Sequence, residues 1–169
     1  MAKIDKIQKR RRARELVLQI CYLFDIRRVE DPEKAMELFE VILLEQKLES
    51  DEYVIEYARE LVSGIVKNRL EIDRLIRMNM TGWRPERMGI IDRVAIFLAL
   101  YEGVVGCKVD VPVAISEAVN LARLFGSEES SRFVNGVLGK IVRVIETPNV
   151  NDTLPESGGS RPETDEIRE

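Results

Sequence analysis

The sequence predicts an all-α fold of two packed helical subbundles, about seven helices, sharing a long buried central helix. Three observations carry this. Apolar residues recur at helical spacing almost throughout the 169 residues, glycine and proline are sparse (10 and 6), and no stretch keeps the alternation of a half-buried strand. The length suits one domain able to bury a core without disulfide or metal staples.

The elements follow in order. The first helix is read as Lys9 to Arg27, with Ala13, Leu16, Val17, Ile20 and Phe24 on one face. A second, about Glu33 to Leu48, has Pro32 suited to a first-turn position and the stripe Ala35, Leu38, Phe39, Ile42. The third opens after Ser50, with Asp51 and Glu52 favouring its positive end, and buries Val54, Tyr57, Ala58, Leu61 and Ile65. A fourth runs from Arg69 to about Met80 and is stopped by Thr81 and Gly82.

Trp83 and Pro85 lead into residues 86–105, where IIDRVAIFLALYEGVV is apolar around nearly its whole circumference, the mark of a buried central helix ended by Gly103 and Gly106. Asp110, before Val111 and Pro112, begins the next helix, which ends at the C-cap candidate Gly126. Ser127 reads as the N-cap of the last helix, with Glu128 and Glu129 in its first turn and Val134, Val137, Leu138, Ile141 and Ile145 on one face. Residues 1–146 are thus one helical domain. Residues 147–169 lack an apolar stripe and read as an acidic, disordered tail.

The formal net charge of -4 conceals an asymmetry. Residues 1–14 carry seven basic side chains (Lys3, Lys6, Lys9, Arg10, Arg11, Arg12, Arg14) against Asp5, whereas residues 146–169 carry seven acids against Arg161 and Arg168. The basic start has no apolar h-region after it, and no stretch approaches ~18 apolar residues, so a cytoplasmic protein without a membrane span is expected.

The same inventory argues against catalysis. There is no histidine, no Gly-rich phosphate loop and no Gly-x-Ser-x-Gly. A carboxylate pair such as Asp92 with Glu102 can be nominated, but charges on helices are usually solvated faces or ion pairs. Cys21 and Cys107 lie in apolar runs and read as reduced core thiols, and no cofactor or metal site is expected.

The basic arm is the better signal, because lysine and arginine neutralise phosphates and release counterions. On a helical wheel Arg11, Arg14, Leu18, Tyr22 and the edge residue Gln19 fall opposite the Leu16/Ile20/Phe24 stripe. Tyr22 then offers a stacking surface beside guanidinium groups; equally, Tyr22 and Leu18 could cover a neighbouring helix, and periodicity does not choose. A second candidate is the junction LARLFGSEESSRFVNGVLGK, where Phe125 and Phe133, with Arg123 and Arg132, flank a helix start, although Glu128 and Glu129 oppose phosphate there. Gly136 and Gly139 are most simply explained by close approach of a neighbouring helix.

Four features together resemble the NusB family of transcription antitermination factors: RRRARELVLQICY at 10–22, Trp83, IDRVAIFLALYE at 91–102, and PVAISEAVNLARLFGSEESSRFVNGVLGKI at 112–141. The resemblance is collinear over roughly residues 9–142. It implies two three-helix groups, no enzymatic activity, binding of single-stranded boxA RNA from ribosomal RNA leaders, and a heterodimer with NusE, the small-subunit ribosomal protein, through which the RNA polymerase antitermination complex is reached indirectly.

Carried onto this chain, the resemblance points to Arg10, Arg11, Arg12, Arg14, Gln19 and Tyr22, with Phe125, Glu129 and Phe133, as the RNA surface. It points to Glu86 and Asp92 as contacts to NusE. Two departures stand out: Phe97 replaces the arginine of the LRxAxYEL segment, putting in doubt a helix-to-helix ion pair there, and Ser116-Glu117 replaces Asn-Glu. The alternatives are an accessory domain like that of certain ribosomal RNA cytosine methyltransferases, which would need a catalytic domain where this chain has its acidic tail, and a helical module whose arm meets an acidic protein or anionic membrane.

Overall fold

The computed structural model describes residues 3–46, 49, 51–82, 84 and 88–146. Among them the helices are α1 (Lys3–Arg27), α2 (Pro32–Gln46), α3 (Glu52–Lys67), α4 (Arg69–Asn79), α5 (Ile90–Leu100), α6 (Val111–Phe125) and α7 (Ser130–Glu146). The expected all-helical architecture is what the chain adopts. The acidic segment 147–169, together with Trp83, Pro85 and Glu86, lies outside the described residues.

Local chemistry sets the element starts. Asp31 accepts from the backbone N–H groups of Glu33 and Lys34 at 2.9 and 3.0 Å and so caps α2, with Pro32 at its first position. Asp51 does the same for α3 through Tyr53 and Val54. Asn68 alone joins α3 to α4, its amide donating to the Gly64 carbonyl at 2.8 Å.

One group is α1 to α3, with α1 laid mainly along α3; the other is α5 to α7, and α4 rests on α5 and α7. α1 also crosses to α5 and α6, so it is enclosed on two sides. This overturns one expectation from the helical wheel. Arg14 and Leu18, placed opposite the core stripe, are buried, because the face that α3 leaves uncovered is covered by the second group. The central helix is as buried as its composition demands: every residue from Val94 to Leu100 is in the core.

Three further expectations are corrected. The central helix ends its α-geometry at Leu100 and continues as a single π-turn, Tyr101–Val105, where Gly103 lets α6 approach so closely that a Cβ would lie 2.9 Å from that of Ala114. The Tyr101 ring, in turn, fills the place where a Gly64 side chain would be, tying the π-turn to α3. Gly136 has nothing within 4 Å of a would-be Cβ and Gly139 only the end of Arg143, so neither glycine marks a close helix crossing. Of the two free cysteines, Cys21 is buried, its thiol pKa pushed up to about 12 by burial, but Cys107 is exposed just past the π-turn.

Candidate nucleic-acid interface

Basic residues alone do not make a binding face; what each one touches decides whether it is available. α1 begins at Lys3, two turns before the expected Lys9, so Arg10, Arg11 and Arg12 lie inside a helix and not at its start. The extension carries no core stripe, which is why apolar periodicity misses it. It is held by charge: Lys9 sits 3.0 Å from Asp51, the α3 cap, and the Lys9 hydrogen bond holds the Asp51 carboxyl below its usual range.

Each arginine of the arm then meets a different partner. The Arg10 guanidinium lies 5.0 Å from the centre of the Tyr57 ring, a cation–π contact, and its buried Nε has no hydrogen-bond partner among the described residues. Arg11 donates to Glu117 of α6 at 3.1 Å, and Arg12 to Glu49, in the α2–α3 connection, at 2.6 Å. The side chains of both remain about half exposed (53% and 52%).

Arg14 is different in kind. It donates two parallel hydrogen bonds to the Glu102 carboxylate, at 2.8 and 2.7 Å, and the Tyr57 hydroxyl donates to the same carboxylate. Arg14 and Glu102 are 3% and 1% exposed. Burial, the largest single influence, lowers the pKa of Arg14, but the Glu102 hydrogen bond and the charges of Glu102, Tyr57 and Glu117 together outweigh it and the net shift is upward; burial, then the Glu102 hydrogen bond, push that of Tyr57 up. Glu102 comes from the π-turn, so one carboxylate joins α1, α3 and the end of α5. Sequence reasoning nominated Glu102 only as an arbitrary acid and Tyr57 only as core. The signal was there: a carboxylate at the end of a helix apolar around nearly its whole circumference calls for a buried cation.

Along α1, Gln19 and Tyr22 are exposed. At the α6–α7 junction Phe125 and Phe133 are 42% and 41% exposed, unusual for phenylalanine on a helical protein, and Glu129 is exposed. The junction is built differently from its expected form. Ser127 is not the N-cap of α7; its backbone N–H donates to the Ser130 hydroxyl at 2.8 Å, and the first helical hydrogen bond runs from Phe133 N–H to the Glu129 carbonyl. Glu128 and Glu129 therefore stand in a turn before the helix. Gly126 does cap α6, in an extended conformation with its N–H donating to the Ala122 carbonyl, and a Cβ there would lie 2.4 Å from the Ser130 oxygen, which is why the position takes glycine.

A family model described as "NusB family" matches residues 11–143, most of the chain, from Arg11 in α1 to Arg143 in the last turn of α7. The chain belongs to the NusB family. Proteins named transcription antitermination protein NusB from Carboxydothermus hydrogenoformans and Symbiobacterium thermophilum are 35% and 43% identical to it, over 81% and 79% of this chain and 94% and 89% of theirs. T. maritima NusB superposes with a TM-score of 0.68 at 33% identity, over 80% of this chain and 91% of that one. A further neighbour was solved in a crystal structure of antitermination factors NusB and NusE in complex with dsRNA; it gives a TM-score of 0.69 at 28% identity, over 80% of this chain and 97% of that one.

The departure at Phe97 also has its explanation. Phe97 is buried, and the link between α1 and α5 is made one turn earlier, where Arg93 pairs with Asp25. At the start of α5, Asp92 is half-buried, with its Oδ1 buried and unpartnered among the described residues. Glu86 falls outside the described residues. No helix among the described residues is long and apolar enough to cross a membrane.

Proposed function

We propose that this chain is an RNA-binding transcription antitermination adaptor that joins NusE on boxA-type RNA. The observation that carries the reading is the pairing of half-exposed Arg11 and Arg12 on α1 with exposed Tyr22 and Gln19 further along the same helix, and with exposed Phe125 and Phe133 at the α6–α7 junction. Guanidinium groups supply phosphate contacts, and aromatic rings supply sequence-tolerant stacking for single-stranded bases. The neighbour solved with NusE and dsRNA supports both partners.

Within this reading Arg10, Arg11, Arg12, Gln19 and Tyr22 touch RNA along α1, and Phe125, Glu129 and Phe133 touch it at the junction. Arg14 works through the fold, holding the arm on Glu102 and Tyr57. Asp92, half-buried at the start of α5, is the contact offered to NusE through its exposed part, together with Glu86, and RNA polymerase is reached through that complex. Residues 1–146 form the working unit. The protein performs no chemical step and acts in the cytoplasm.

The test is gel-shift titration of boxA RNA and a scrambled control with this chain, alone and with NusE, at one salt concentration. The expected result is modest affinity alone and a gain of ~10²-fold or more with NusE, through linkage of two weak patches. Equal binding of both RNAs, unchanged by NusE, overturns it.

A further inference from the structure

Between the arginines of α1 and the aromatic junction lies a half-open cavity of about 160 Å³ along the α1–α6 groove. It is small beside the roughly 300–1,000 Å³ of drug-sized sites, and matches a single ring system. The Arg11–Glu117 pair and Leu124, the residue before Phe125, both line it. Leu121 and Leu124 give it apolar walls, and Asn120 and Arg123 give it a polar rim, the Arg123 guanidinium donating a 2.7 Å hydrogen bond to the Asn120 side-chain oxygen, Oδ1.

Charge decides what fits. Arg14 is held by Glu102, behind the lining, and once Arg11 turns to phosphate the lining charges left are Glu15 and Glu117 against Arg123. A site without net positive charge is poorly suited to phosphate. Apolar walls with a mixed rim of amide, guanidinium and carboxylate suit a neutral planar ligand with donors and acceptors on its edge, which is what an unstacked base presents. Leu124 is 64% exposed and so has no structural need to be apolar.

We propose that the α1–α6 groove receives one everted base of the bound RNA, read at its edge by Asn120 and Arg123 and held against Leu121 and Leu124. This rests on the RNA-binding reading above and adds a base-selective contact between its two patches.

The experiment replaces each RNA position in turn with 2-aminopurine and measures fluorescence on binding of wild type, Asn120→Ala and Leu124→Ser, alongside affinity for boxA and scrambled RNA over a salt series. With wild type, one position is expected to brighten as its base leaves the stack. Both variants should abolish that change and weaken boxA binding about tenfold, the equivalent of about 1.4 kcal/mol. Scrambled RNA and the salt slope should be unaffected. Leu124→Ser removes an exposed side chain and keeps the test sound if Asn120→Ala disturbs α6. Variants that bind both RNAs as wild type does overturn the proposal. So does an equal loss on both RNAs with a shallower salt slope, which marks a phosphate contact. Failure of wild type to bind any RNA overturns the parent reading first, and is seen before any variant is made.

Discussion

The two halves of the proposed RNA surface are prepared in opposite ways. On α1 the arginines are already engaged: Arg11 with Glu117, Arg12 with Glu49, Arg10 on Tyr57. At the α6–α7 junction Phe125 and Phe133 are presented directly to solvent. Phosphate must therefore displace a carboxylate on the first side, while a base need only displace water on the second. The charged half holds its side chains in place at some cost in affinity; the aromatic half gives affinity without prior order.

Burial sharpens the contrast within α1 itself. Breaking the buried Arg14–Glu102 pair from one side leaves an uncompensated charge in the core, so Arg14→Met is expected to lower stability by about 3–5 kcal/mol. Urea denaturation measures this, and the double variant with Glu102→Met should recover much of the loss. A mild effect of Arg14→Met would place Arg14 with the surface arginines after all. Next in size is the triple change of Arg10, Arg11 and Arg12 to alanine. The half-exposed pairs of Arg11 and Arg12 contribute only about 0–1 kcal/mol each and the cation–π contact of Arg10 about 0.5–2 kcal/mol, so folding should survive, while the slope of log affinity against log salt should fall by about 2, at ~0.7 per single-strand phosphate contact. An unchanged slope would mean that the arm meets no phosphate.

How much of this was legible in the sequence follows from the same distinction. Helix order was readable because buried stripes such as Val134, Val137, Leu138 and Ile141 repeat at a fixed local period. The burial of Arg14 was not, because it depends on which helix covers the second face of α1, a fact about packing and not about α1. The early start of α1 was hidden for the opposite reason: Lys3 to Lys9 is held by Asp5 and Asp51 and carries no stripe. Gly136 misled by composition. Its helix cost suggested a packed crossing, but it faces open space. The basic arm and the junction aromatics were found because charge clusters and motifs survive without knowledge of packing; Glu49 and Glu117, their partners, lie 37 and 106 positions away.

On the aromatic side, Phe133→Ala should leave stability nearly unchanged, since the ring is 41% exposed, and should weaken RNA binding by ~1–3 kcal/mol of lost stacking with no change in salt slope. Isothermal titration at two salt concentrations separates the terms. A change in slope would mean that the ring acts by positioning Arg132 and not by stacking.

The smallest effect bears most directly on the comparison. Glu117 accepts from Arg11 at 3.1 Å and lies 3.5 Å from Arg14, so its carboxylate competes with phosphate for the Arg11 guanidinium. Glu117→Gln keeps the shape and a hydrogen-bond acceptor while removing the charge. Arg14 keeps its two bonds to Glu102, but the Glu117 side chain is largely buried and its charge also faces Arg14, so a modest loss of stability is expected alongside. Arg11, released from a charged partner, should then bind phosphate more readily, raising RNA affinity a few-fold at low salt. Screening at high salt should erase the gain, because a partly exposed charge acts only within a Debye length of about 10 Å at 0.1 M. Anisotropy titrations of wild type and Glu117→Gln across a salt series measure this. A gain that persists at high salt would point to altered packing of α6, and a loss of affinity would show that Glu117 orders Arg11 for RNA and does not compete with it.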